Sequence, residues 1–572
     1  MSSYKNFTSA IYCPVGNLIN IQDFDKFEKE FSWIESKMKV GKVYLETYRH
    51  GVTIEREHME KIKTFFTDRG IEVSGGITTD DPHDESEGGF DPLCYTREGT
   101  LQRMTKVAEF TASLFDEVIL DDFYFTNCKC PSCIEARGDK TWAEFRTELM
   151  LEVSKNVIVG PAKKVNPNVK MIIKYPNWYE HFQDSGYNLA DEPQVFDAVY
   201  TGTETRNPLY TQQHLPKYLS YFNIRNIESA APGRNGGGWF DPYECTYNLT
   251  SYAEQAQLTL FAKAKEAMVF CLGSLLDKDY SLCAPIAGQV FADMDEYLGE
   301  LGNPVGTASY IPFHSHGEDY IHNYIGMLGI PLEPTPSYPE NAKRIFLAQG
   351  AAMDEHILEK LEKSLLNGAD VIVTSGFVKK TLCKGFDKIC NVEFDDKKAI
   401  VNKYAYSDNG GVTFGGCAES SQSIVIPQLG FKTNDTWELV AGFGEDNSFP
   451  ILLKNLYGKG RLYILTVPDD YGNMYNFPRA VLTALRQIFS SQLPVLLDAD
   501  AKVGLFAYDN NCFALHSFLP YYDEIGLTVN FENAVLEDLV KGKDISGENI
   551  QGKTVFKMRM SPGVNKVFRI KS

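Results

Sequence analysis

Short apolar runs alternate with helical patterns over roughly the first 300 residues of the chain, and this alternation is what most constrains its fold. The runs that read as strands are Thr8–Pro14, Lys42–Tyr48, Ile71–Thr79, Glu117–Phe123, Val169–Tyr175, Phe196–Thr203, Gly236–Asp241 and Glu266–Gly273. The helical patterns between them include Asp23–Met38, Glu55–Arg69, Gly99–Leu114, Ala143–Lys164 and Leu249–Lys265. Tyr221–Glu228 competes with Gly236–Asp241 for the place of the seventh strand. About eight parallel βαβ units in this length predict a (β/α)8 TIM barrel over residues 1–302.

The pattern changes after the predicted barrel, and a second α/β domain is expected over residues 303–492. Its strand-like runs are Ala308–His314, Arg344–Ala348, Asp370–Ser375 and Gly460–Pro468, and its helical patterns are Glu355–Leu366 and Pro478–Ser490. A polar β insertion falls near 391–450. The turn Gln349–Met353 (QGAAM) occupies the place where glutamine amidotransferases keep a cysteine nucleophile, but it contains no cysteine. We therefore expect a noncatalytic, amidotransferase-like domain with a structural or oligomerising role.

The last part of the chain, residues 493–572, is predicted to be a small β-sandwich or β-sheet domain. Runs such as Val503–Tyr508 and Cys512–Phe518 are expected to be its strands. The predicted fold is therefore α/β: a TIM barrel, then an amidotransferase-like α/β domain, then a C-terminal β domain. A chain of 572 residues is too long for a single core, which fits several domains.

Charge and composition exclude some classes of partner. The net charge of −20 argues against nucleic acid, because phosphate binding needs a basic face. No run approaches the roughly 18 apolar residues of a membrane span, so no membrane partner is expected. The first 20 residues show no charged leader followed by an apolar core, and most cysteines stand alone, which suits reduced thiols. We therefore expect a cytoplasmic protein. The noncatalytic second domain leads us to expect a homo-oligomer, a dimer or a trimer.

Two adjacent carboxylates, Asp121 and Asp122, end the apolar run Val118–Leu120. Acids at the carboxyl end of a buried parallel strand stand where TIM barrels carry their chemistry. Each acid also has a plainer interpretation, as a helix cap or as the partner of a nearby lysine. We expect at least one of the two to be catalytic.

Other strand ends carry acids as well, and in a barrel they would converge on one mouth. The full set is Glu46, Asp80, Asp81, Asp121, Asp122, Glu204 and Asp241. Hydrolysis of a glycosidic bond needs two carboxyl groups, one as nucleophile or base and one as an acid. Our first choice is Asp122 as nucleophile with Glu204 as acid/base. Asp241 is the main substitute for Glu204, and Glu228 enters only if the competing seventh strand is correct.

Aromatic, amide and basic side chains near the same strand ends could bind a sugar, because rings stack on its faces and polar groups bond its hydroxyls. The expected substrate-binding residues are Glu46, Tyr48, Asp80, Tyr124, Lys174, Tyr175, Asn177, Trp178, Arg206 and Trp239. Arg49, His50 and Arg234 add further positive charge, which would suit a carboxylated sugar. Each basic residue has the alternative of pairing with a nearby acid.

A cysteine cluster follows the two aspartates. Cys128, Cys130 and Cys133 lie close enough in sequence to share one tetrahedral zinc ion, and Cys94 after the third strand is the best fourth ligand. Four thiolates leave no open position for water, so such a zinc would be structural. The alternative is a set of free thiols in a buried loop. No organic cofactor is expected.

Taken together, the barrel, the Cys-x-Cys-x-x-Cys cluster after strand four and the cysteine-free turn Gln349–Met353 resemble a clan-A-type glycoside hydrolase. The layout is similar to that of the family 42 β-galactosidases. The resemblance implies a carbohydrate substrate, structural zinc in the cluster and a middle domain that builds a trimer. It also implies two catalytic glutamates, the acid after strand four and the nucleophile after strand seven.

The sequence departs from that family at both catalytic positions. Asp121-Asp122 replaces the Asn-Glu pair after strand four, and no clear glutamate ends strand seven. An aspartate at the end of strand four is similar to the nucleophile of retaining α-galactosidase-like barrels. The sequence therefore predicts a divergent glycoside hydrolase with a retaining mechanism rather than a typical β-galactosidase. The alternatives are a catalytically inactive sugar-binding or scaffold protein and a metal-dependent hydrolase, although the His314-x-His316 pair lies outside the predicted barrel.

Overall fold

Eight parallel strands of the first part of the chain close into a barrel. They are β1 (Thr8–Cys13), β2 (Lys42–Arg49), β3 (Glu72–Ile77), β4 (Glu117–Leu120), β5 (Lys170–Tyr175), β6 (Ala198–Gly202), β7 (Asn235–Phe240) and β8 (Glu266–Phe270). Strand β1 pairs with both β2 and β8, which closes the sheet. The computed structural model describes residues 3–80, 92–407, 414–444 and 447–571. The predicted TIM barrel is confirmed.

The chain divides into two compact units, Met1–Gly299 and Glu300–Ser572. The first unit surrounds its barrel with the helices Val15–Ile19, Phe24–Glu35, Arg56–Thr67, Glu98–Ala112, Pro131–Arg137, Trp142–Val153, Gly160–Val165, Phe182–Ser185, Leu219–Ala230, Leu249–Phe261, Leu272–Leu276 and Cys283–Asp295. The segment that competed for the seventh strand lies inside Leu219–Ala230. A two-residue strand, Val52–Thr53, pairs with the end of β2.

The helices follow from amphipathic patterns and caps. In Phe24–Glu35 the side chain of Asp23 accepts a hydrogen bond from the Lys26 backbone N–H, and Phe27, Phe31 and Ile34 face the barrel as buried residues. The predicted helix Ala143–Lys164 is instead interrupted by a π-helical turn at Ser154–Val159. Pro161, which lacks a backbone N–H, is the second residue of the next helix, Gly160–Val165.

The barrel interior is packed with side chains rather than open. One buried cluster contains Ala10, Tyr12, Tyr44, Ile119, Ile172, Ala198, Tyr200, Trp239 and Met268. Strand β4 contributes Val118, Ile119 and Leu120, which are fully buried because a parallel barrel strand is covered on both faces. Acids that follow such a strand emerge at its carboxyl end.

The second unit contains a nine-stranded sheet. In spatial order its strands are Leu332–Thr335, Thr307–Tyr310, Arg344–Leu347, Asp370–Thr374, Gly460–Leu465, Ser448–Tyr457, Thr436–Phe443, Val392–Tyr406 and Gly416–Phe431. The first five are parallel and the others antiparallel. The strand expected at Ala308–His314 ends at Tyr310, shortly before Pro312. The α-helices of this unit are Ile321–Gly326, Ile357–Leu366, Ser375–Thr381 and Arg479–Ser490.

The end of the second unit forms two antiparallel sheets over one hydrophobic cluster. The larger sheet consists of Pro304–Val305, Val503–Tyr508, Cys512–Ser517, Asn565–Lys571, Val535–Asp538 and Lys543–Ser546. The smaller one consists of Val495–Asp498, Asp523–Val529, Lys553–Met560 and Glu548–Ile550. The short strand Pro304–Val305 pairs with Val503–Tyr508, so the first residues of the unit join the sheet formed by its last ones.

Candidate active site

A cavity of about 670 Å³ opens where the carboxyl ends of the barrel strands meet. Its walls come from the ends of β2 and β4 to β8 and from the loops that follow them. Seven aromatic residues line it: Phe123, Phe125, Trp178, Trp239, Tyr243, Phe270 and Tyr280. An aromatic cavity at this edge is the usual position of a TIM-barrel ligand site.

The ammonium group of Lys174 organises the floor of the cavity. Its Nζ lies 2.7 Å from Asp122 Oδ2 and 2.7 Å from Glu204 Oε1. Asp121 Oδ1 is 3.5 Å away, and the centre of the Trp239 ring is 4.1 Å away. The Lys174 side chain is only 2% exposed. One buried cation therefore holds three carboxylates together at the ends of β4 and β6.

Burial changes the protonation of the two acids nearest Lys174. It raises the pKa of Asp122 to about 7, with Asp121 and Glu204 adding to the rise and Lys174 opposing it. Burial also raises the pKa of Glu204, again against the effect of Lys174. Oε2 of Glu204 is buried and has no hydrogen-bond partner among the described residues. A proton on this carboxyl would remove the cost of leaving that oxygen charged and unpaired.

Asp121 behaves differently from Asp122 because it has a second cationic neighbour. Burial disfavours its charged form, but Lys174 and Arg49 outweigh burial and lower the pKa of Asp121. Arg49 Nη2 is 2.9 Å from Asp121 Oδ2, and its Nε lies 3.1 Å from each oxygen of Glu46. Tyr12 also donates a hydrogen bond to Glu46. Asp121 and Glu46 are thus fixed by donors, whereas the side chain of Asp122 is 16% exposed to the cavity.

Asp241 forms a two-point ion pair with Arg206. Arg206 Nη2 lies 2.8 Å from Asp241 Oδ2, and its Nε lies 3.1 Å from Oδ1. The pair joins the loop after β6 to the loop after β7. Arg206 adopts a left-handed backbone conformation with φ of 52°, which is uncommon outside glycine. Asp241 is therefore held by a guanidinium of its own and does not share Lys174.

Asn177, Trp178 and Trp239 all lie at the cavity, in different roles. Asn177 Nδ2 donates a 2.5 Å hydrogen bond to the backbone oxygen of Glu204 and exchanges amide contacts with Gln213. Trp178 is half-buried beside Phe125, so part of its ring faces the cavity. Trp239 is 2% exposed and forms the floor rather than an open stacking face.

Two tyrosines expected to bind substrate lie outside the cavity lining. The Tyr124 hydroxyl contacts Ser154 Oγ at 2.9 Å, and Tyr175 donates to Glu192 at 3.4 Å. Successive side chains of a strand point to opposite faces, so Tyr175 must point away from the face that Lys174 occupies. Both hydroxyls belong to the packing between barrel and helices.

Asp80 and Tyr48 also lie behind the cavity wall. Asp80 Oδ1 accepts a 2.8 Å hydrogen bond from the His50 backbone N–H, and Asp80 Oδ2 lies 2.8 Å from His50 Nδ1. The Tyr48 hydroxyl lies 3.5 Å from the backbone oxygen of Asp80. Asp81 falls outside the described residues. This part of the predicted set surrounds the end of β2 rather than the cavity.

Several lining residues were not predicted from the sequence, among them Gln213, Tyr243, Glu244, Phe270 and Tyr280. Phe270 ends β8, and the strand-end argument could have found it. Gln213, Tyr243 and Glu244 lie in loops and Tyr280 in a short 3₁₀ helix, where position in the chain does not indicate which side chains face the cavity. Glu244 has a φ of 56°, and no sequence pattern indicates a left-handed glutamate.

The structure brings together the four predicted cysteine ligands. The sulfur atoms of Cys94, Cys128, Cys130 and Cys133 all lie within 4.8 Å of one another. Cys94 is 3.6 Å from Cys130 and 3.5 Å from Cys133, and the last two are 3.7 Å apart. Four thiolates around zinc at about 2.3 Å would be roughly 3.8 Å apart, so this donor set fits one tetrahedral metal ion.

One thiol of the cluster has an environment that favours its ionised form. Hydrogen bonds from the Cys133 backbone N–H and from Ser132 lower the pKa of the Cys130 thiol to about 5. Cys130 is the N-cap of helix Pro131–Arg137, where backbone N–H groups favour thiolate, whereas burial raises the pKa of the Cys133 thiol to about 12 and also raises that of Cys128. The four cysteines therefore form a cluster that could hold a metal ion, close behind the loop that carries Asp121 and Asp122.

Residues 1–290, just over half of the chain, match the family model "Probable glycosyl hydrolase, catalytic domain". The chain belongs to this family. The rest of the chain matches two further models, the second domain of uncharacterized protein SSO3021 over residues 296–470 and "Probable glycosyl hydrolase, C-terminal domain" over 494–571. Uncharacterized protein SSO3021 of Saccharolobus solfataricus is 24% identical over 509 residues, covering 81% of this chain and 82% of that protein.

Three solved structures with the same fold are β-galactosidases. The enzyme from Bacillus circulans sp. alkalophilus is 11% identical with a TM-score of 0.63, and the match covers all of both chains. A catalytic mutant of Gan42B, a GH42 β-galactosidase from G. stearothermophilus, gives 11% identity and a TM-score of 0.65 over 100% of this chain and 99% of that one. The enzyme from Rahnella sp. R3 is 10% identical with a TM-score of 0.64, and the match covers 97% of this chain and 99% of that one. At these identities the likeness is one of fold, and it confirms the resemblance in layout.

Within the part of the chain that the structure describes, no helix is both long and apolar enough to cross a membrane.

Proposed function

We propose that this glycosyl hydrolase cleaves a neutral glycoside with retention of configuration, with Asp122 as nucleophile and Glu204 as acid/base. The observation that carries the proposal is the shared contact with Lys174. Because one Nζ lies 2.7 Å from an oxygen of each acid, those oxygens are no more than about 5.4 Å apart, the sum of the two contacts. Carboxyl groups about 5–5.5 Å apart are typical of retaining glycosidases, and inverting enzymes need about 6.5–9.5 Å.

In the proposed first step, an oxygen of Asp122 attacks the anomeric carbon and forms a glycosyl ester. The bond from that carbon to the leaving oxygen breaks, and Glu204 gives its proton to the leaving oxygen. In the second step, water attacks the same carbon, Glu204 takes a proton from the water, and the ester bond to Asp122 breaks. The raised pKa of Glu204 supports its role as the acid.

Lys174 positions both acids in this mechanism. Its contacts orient one oxygen of each carboxyl, and its charge favours the ionised state that Asp122 needs as a nucleophile. The ammonium cannot compensate both acids at once, because Asp121 also faces it at 3.5 Å. This imbalance supports a shared proton between Asp122 and Glu204.

The charges of the site favour an uncharged sugar over the carboxylated sugar that its basic residues suggest. The cations at the cavity are already paired, Arg49 with Glu46 and Asp121, Lys174 with three acids, and Arg206 with Asp241. Arg234 binds the backbone oxygens of Pro193 and Phe196 instead. Five carboxyl groups against three cations would repel a uronic acid.

The test is hydrolysis of α- and β-linked nitrophenyl glycosides of neutral hexoses, deoxyhexoses and pentoses, with uronides for comparison. We expect turnover of a neutral glycoside, and proton NMR should show that the first product keeps the anomeric configuration of the substrate. An inverted product contradicts the proposed pair, and activity on uronides alone contradicts the charge argument. No hydrolysis in the whole panel would favour the inactive sugar-binding protein.

We further propose that Cys94, Cys128, Cys130 and Cys133 hold one structural zinc ion, which would fix the loop after β4 and supply no catalytic chemistry. Protein purified without added metal should contain about one zinc per chain by elemental analysis. Cys133→Ser should lose that zinc and unfold at a lower temperature, whereas Cys383→Ser, at an exposed cysteine outside the cluster, should keep it. Rapid reaction of the cluster thiols with a thiol reagent in metal-free native protein would instead identify them as free thiols.

A further inference from the structure

Three large apolar side chains stand exposed on the two loops that border the cavity. Leu209 is 80% exposed, Tyr210 is 58% exposed and Tyr247 is 84% exposed. The rings of Tyr210 and Tyr247 contact each other, with their centres 5.6 Å apart and their planes at 39°. We call these three residues the rim patch. Contiguous exposed apolar patches are often binding sites for a ligand or a partner protein.

The rim patch is continuous with the candidate active site. The loop after β6 carries Leu209 and Tyr210 between Arg206 and Gln213, which both line the cavity. The loop after β7 carries Tyr247 just beyond Tyr243 and Glu244, which line it too. The Arg206–Asp241 ion pair joins the bases of these loops, and the Tyr210–Tyr247 contact joins their exposed parts.

Both loops are held in place although their apolar side chains face water. The Leu209 backbone N–H donates to the side chain of Asn207 at 3.2 Å, and the Tyr210 backbone N–H donates to the Asn207 backbone oxygen at 3.0 Å. Glu244 takes a left-handed conformation, with Oε2 buried and 3.9 Å from Arg206 Nη1. The rings are therefore presented on prearranged loops, as a binding surface requires.

We propose that the rim patch is a second sugar-binding subsite, which receives a pyranose ring on the leaving-group side of the bond that is cleaved. This inference rests on the proposed function and adds that the natural substrate is an oligosaccharide. Exposed aromatic rings offer flat apolar faces on which sugar rings stack, and Tyr210 and Tyr247 present two such rings next to each other. The patch exposes on the order of 400 Å², about half of what each partner buries in a stable protein interface.

The test compares two leaving groups on the same sugar. A nitrophenyl glycoside places a ring on the leaving-group side, and the corresponding glycosyl fluoride places none there. Tyr247→Ala and Tyr210→Ala should each lower kcat/KM for the nitrophenyl glycoside about tenfold and leave the value for the fluoride unchanged. Tyr522→Ala, at a tyrosine 64% exposed in the second unit, is the matched control and should change neither. Equal losses on both substrates, or no loss on either, would overturn the subsite.

A second measurement separates the subsite from the proposed chemistry. If wild type hydrolyses nothing, the proposed function fails, and calorimetry with cellotriose, maltotriose and mannotriose against their monosaccharides decides on the subsite. A trisaccharide should then bind more tightly than its monosaccharide, and Tyr247→Ala should abolish the gain. Absence of any gain in wild type overturns the inference. The inference is also overturned if Tyr247→Ala changes the oligomeric state in sedimentation velocity. That result would assign the rim patch to an interface between copies of the chain.

Discussion

Replacement of Asp122 by Asn is expected to lower kcat/KM on the best glycoside by about 10⁴-fold, which corresponds to roughly 5.5 kcal/mol of transition-state stabilisation. The amide keeps the shape of the side chain but cannot attack the anomeric carbon as a carboxylate does. Lys174 retains its contacts with Glu204 and Asp121, so the fold should persist. Steady-state kinetics give the loss, and circular dichroism checks that the variant is folded.

The pH dependence of wild type supplies an independent readout. Since burial raises the pKa of Asp122 to about 7, the carboxyl is protonated and inactive below that pH. The kcat/KM of wild type should therefore fall as the pH drops below about 7, and the residual activity of Asp122→Asn should lack this limb. Asp184→Asn is the matched control, because its side chain is 62% exposed, and it should stay within twofold of wild type.

Chemical rescue and a variant of the neighbouring Asp121 show which aspartate is the nucleophile. Azide added to an Asp122→Gly variant should restore turnover of an activated substrate and yield a glycosyl azide of inverted configuration, because azide enters from the face that the nucleophile occupied. If Asp121→Asn loses all activity while Asp122→Asn keeps more than a tenth, Asp121 is the nucleophile. That result would also mean that a carboxylate with a lowered pKa performs the attack.

Much of the barrel could be predicted from the sequence because its strands are short, fully buried runs. Val118–Leu120 predicted β4, and parallel-barrel geometry then placed Asp121 and Asp122 at the mouth. The cysteine cluster could be predicted because Cys128, Cys130 and Cys133 are close in sequence, and only Cys94 had to be found by position. Local patterns determine such features.

The contacts within the site could not be predicted in the same way. Lys174 bridges Asp122 and Glu204 because of the register of β5 against its two neighbouring strands. The sequence of β5 does not reveal that register. Tyr175 was assigned to the cavity with Lys174, although adjacent residues of a strand face opposite ways. The loops after β6 and β7 depend on the left-handed conformations of Arg206 and Glu244, for which side-chain chemistry gives no signal.

A buried ion-pair cluster lies at the opposite end of the barrel, where the strands begin. We expect its loss to have a large effect on stability rather than on activity. Lys42, whose side chain is 7% exposed, forms ion pairs with Glu117 and with Glu266 Oε2, the latter at 3.4 Å. Glu266 is buried and receives hydrogen bonds from Tyr200, at 2.9 Å, and from the side chain of Tyr44. At this end of a TIM barrel, buried polar groups serve the stability of the fold.

Lys42→Met should reduce the free energy of unfolding by about 3–5 kcal/mol, because it leaves a buried carboxylate without its cation. Glu117 keeps Lys170 at 2.8 Å, so Glu266 bears most of the loss. Lys26→Met is the control, since Lys26 is 72% exposed in a surface pair with Glu30, and it should cost less than about 1 kcal/mol. Urea denaturation curves of the barrel measure both.

The sign of the pH dependence distinguishes an unpaired charge from lost packing. Burial raises the pKa of Glu266 in the folded protein above its ordinary value of 4.5, and Lys42 opposes that rise. Without Lys42 the folded state binds the proton more strongly than the unfolded state, so stability must fall as the pH increases past 4.5. The deficit of Lys42→Met should therefore be larger at pH 8 than at pH 4, and adding Glu266→Gln should recover more than half of it. A deficit that is equal at both pH values, and unchanged by Glu266→Gln, would show that Lys42 contributes through its aliphatic chain rather than its charge.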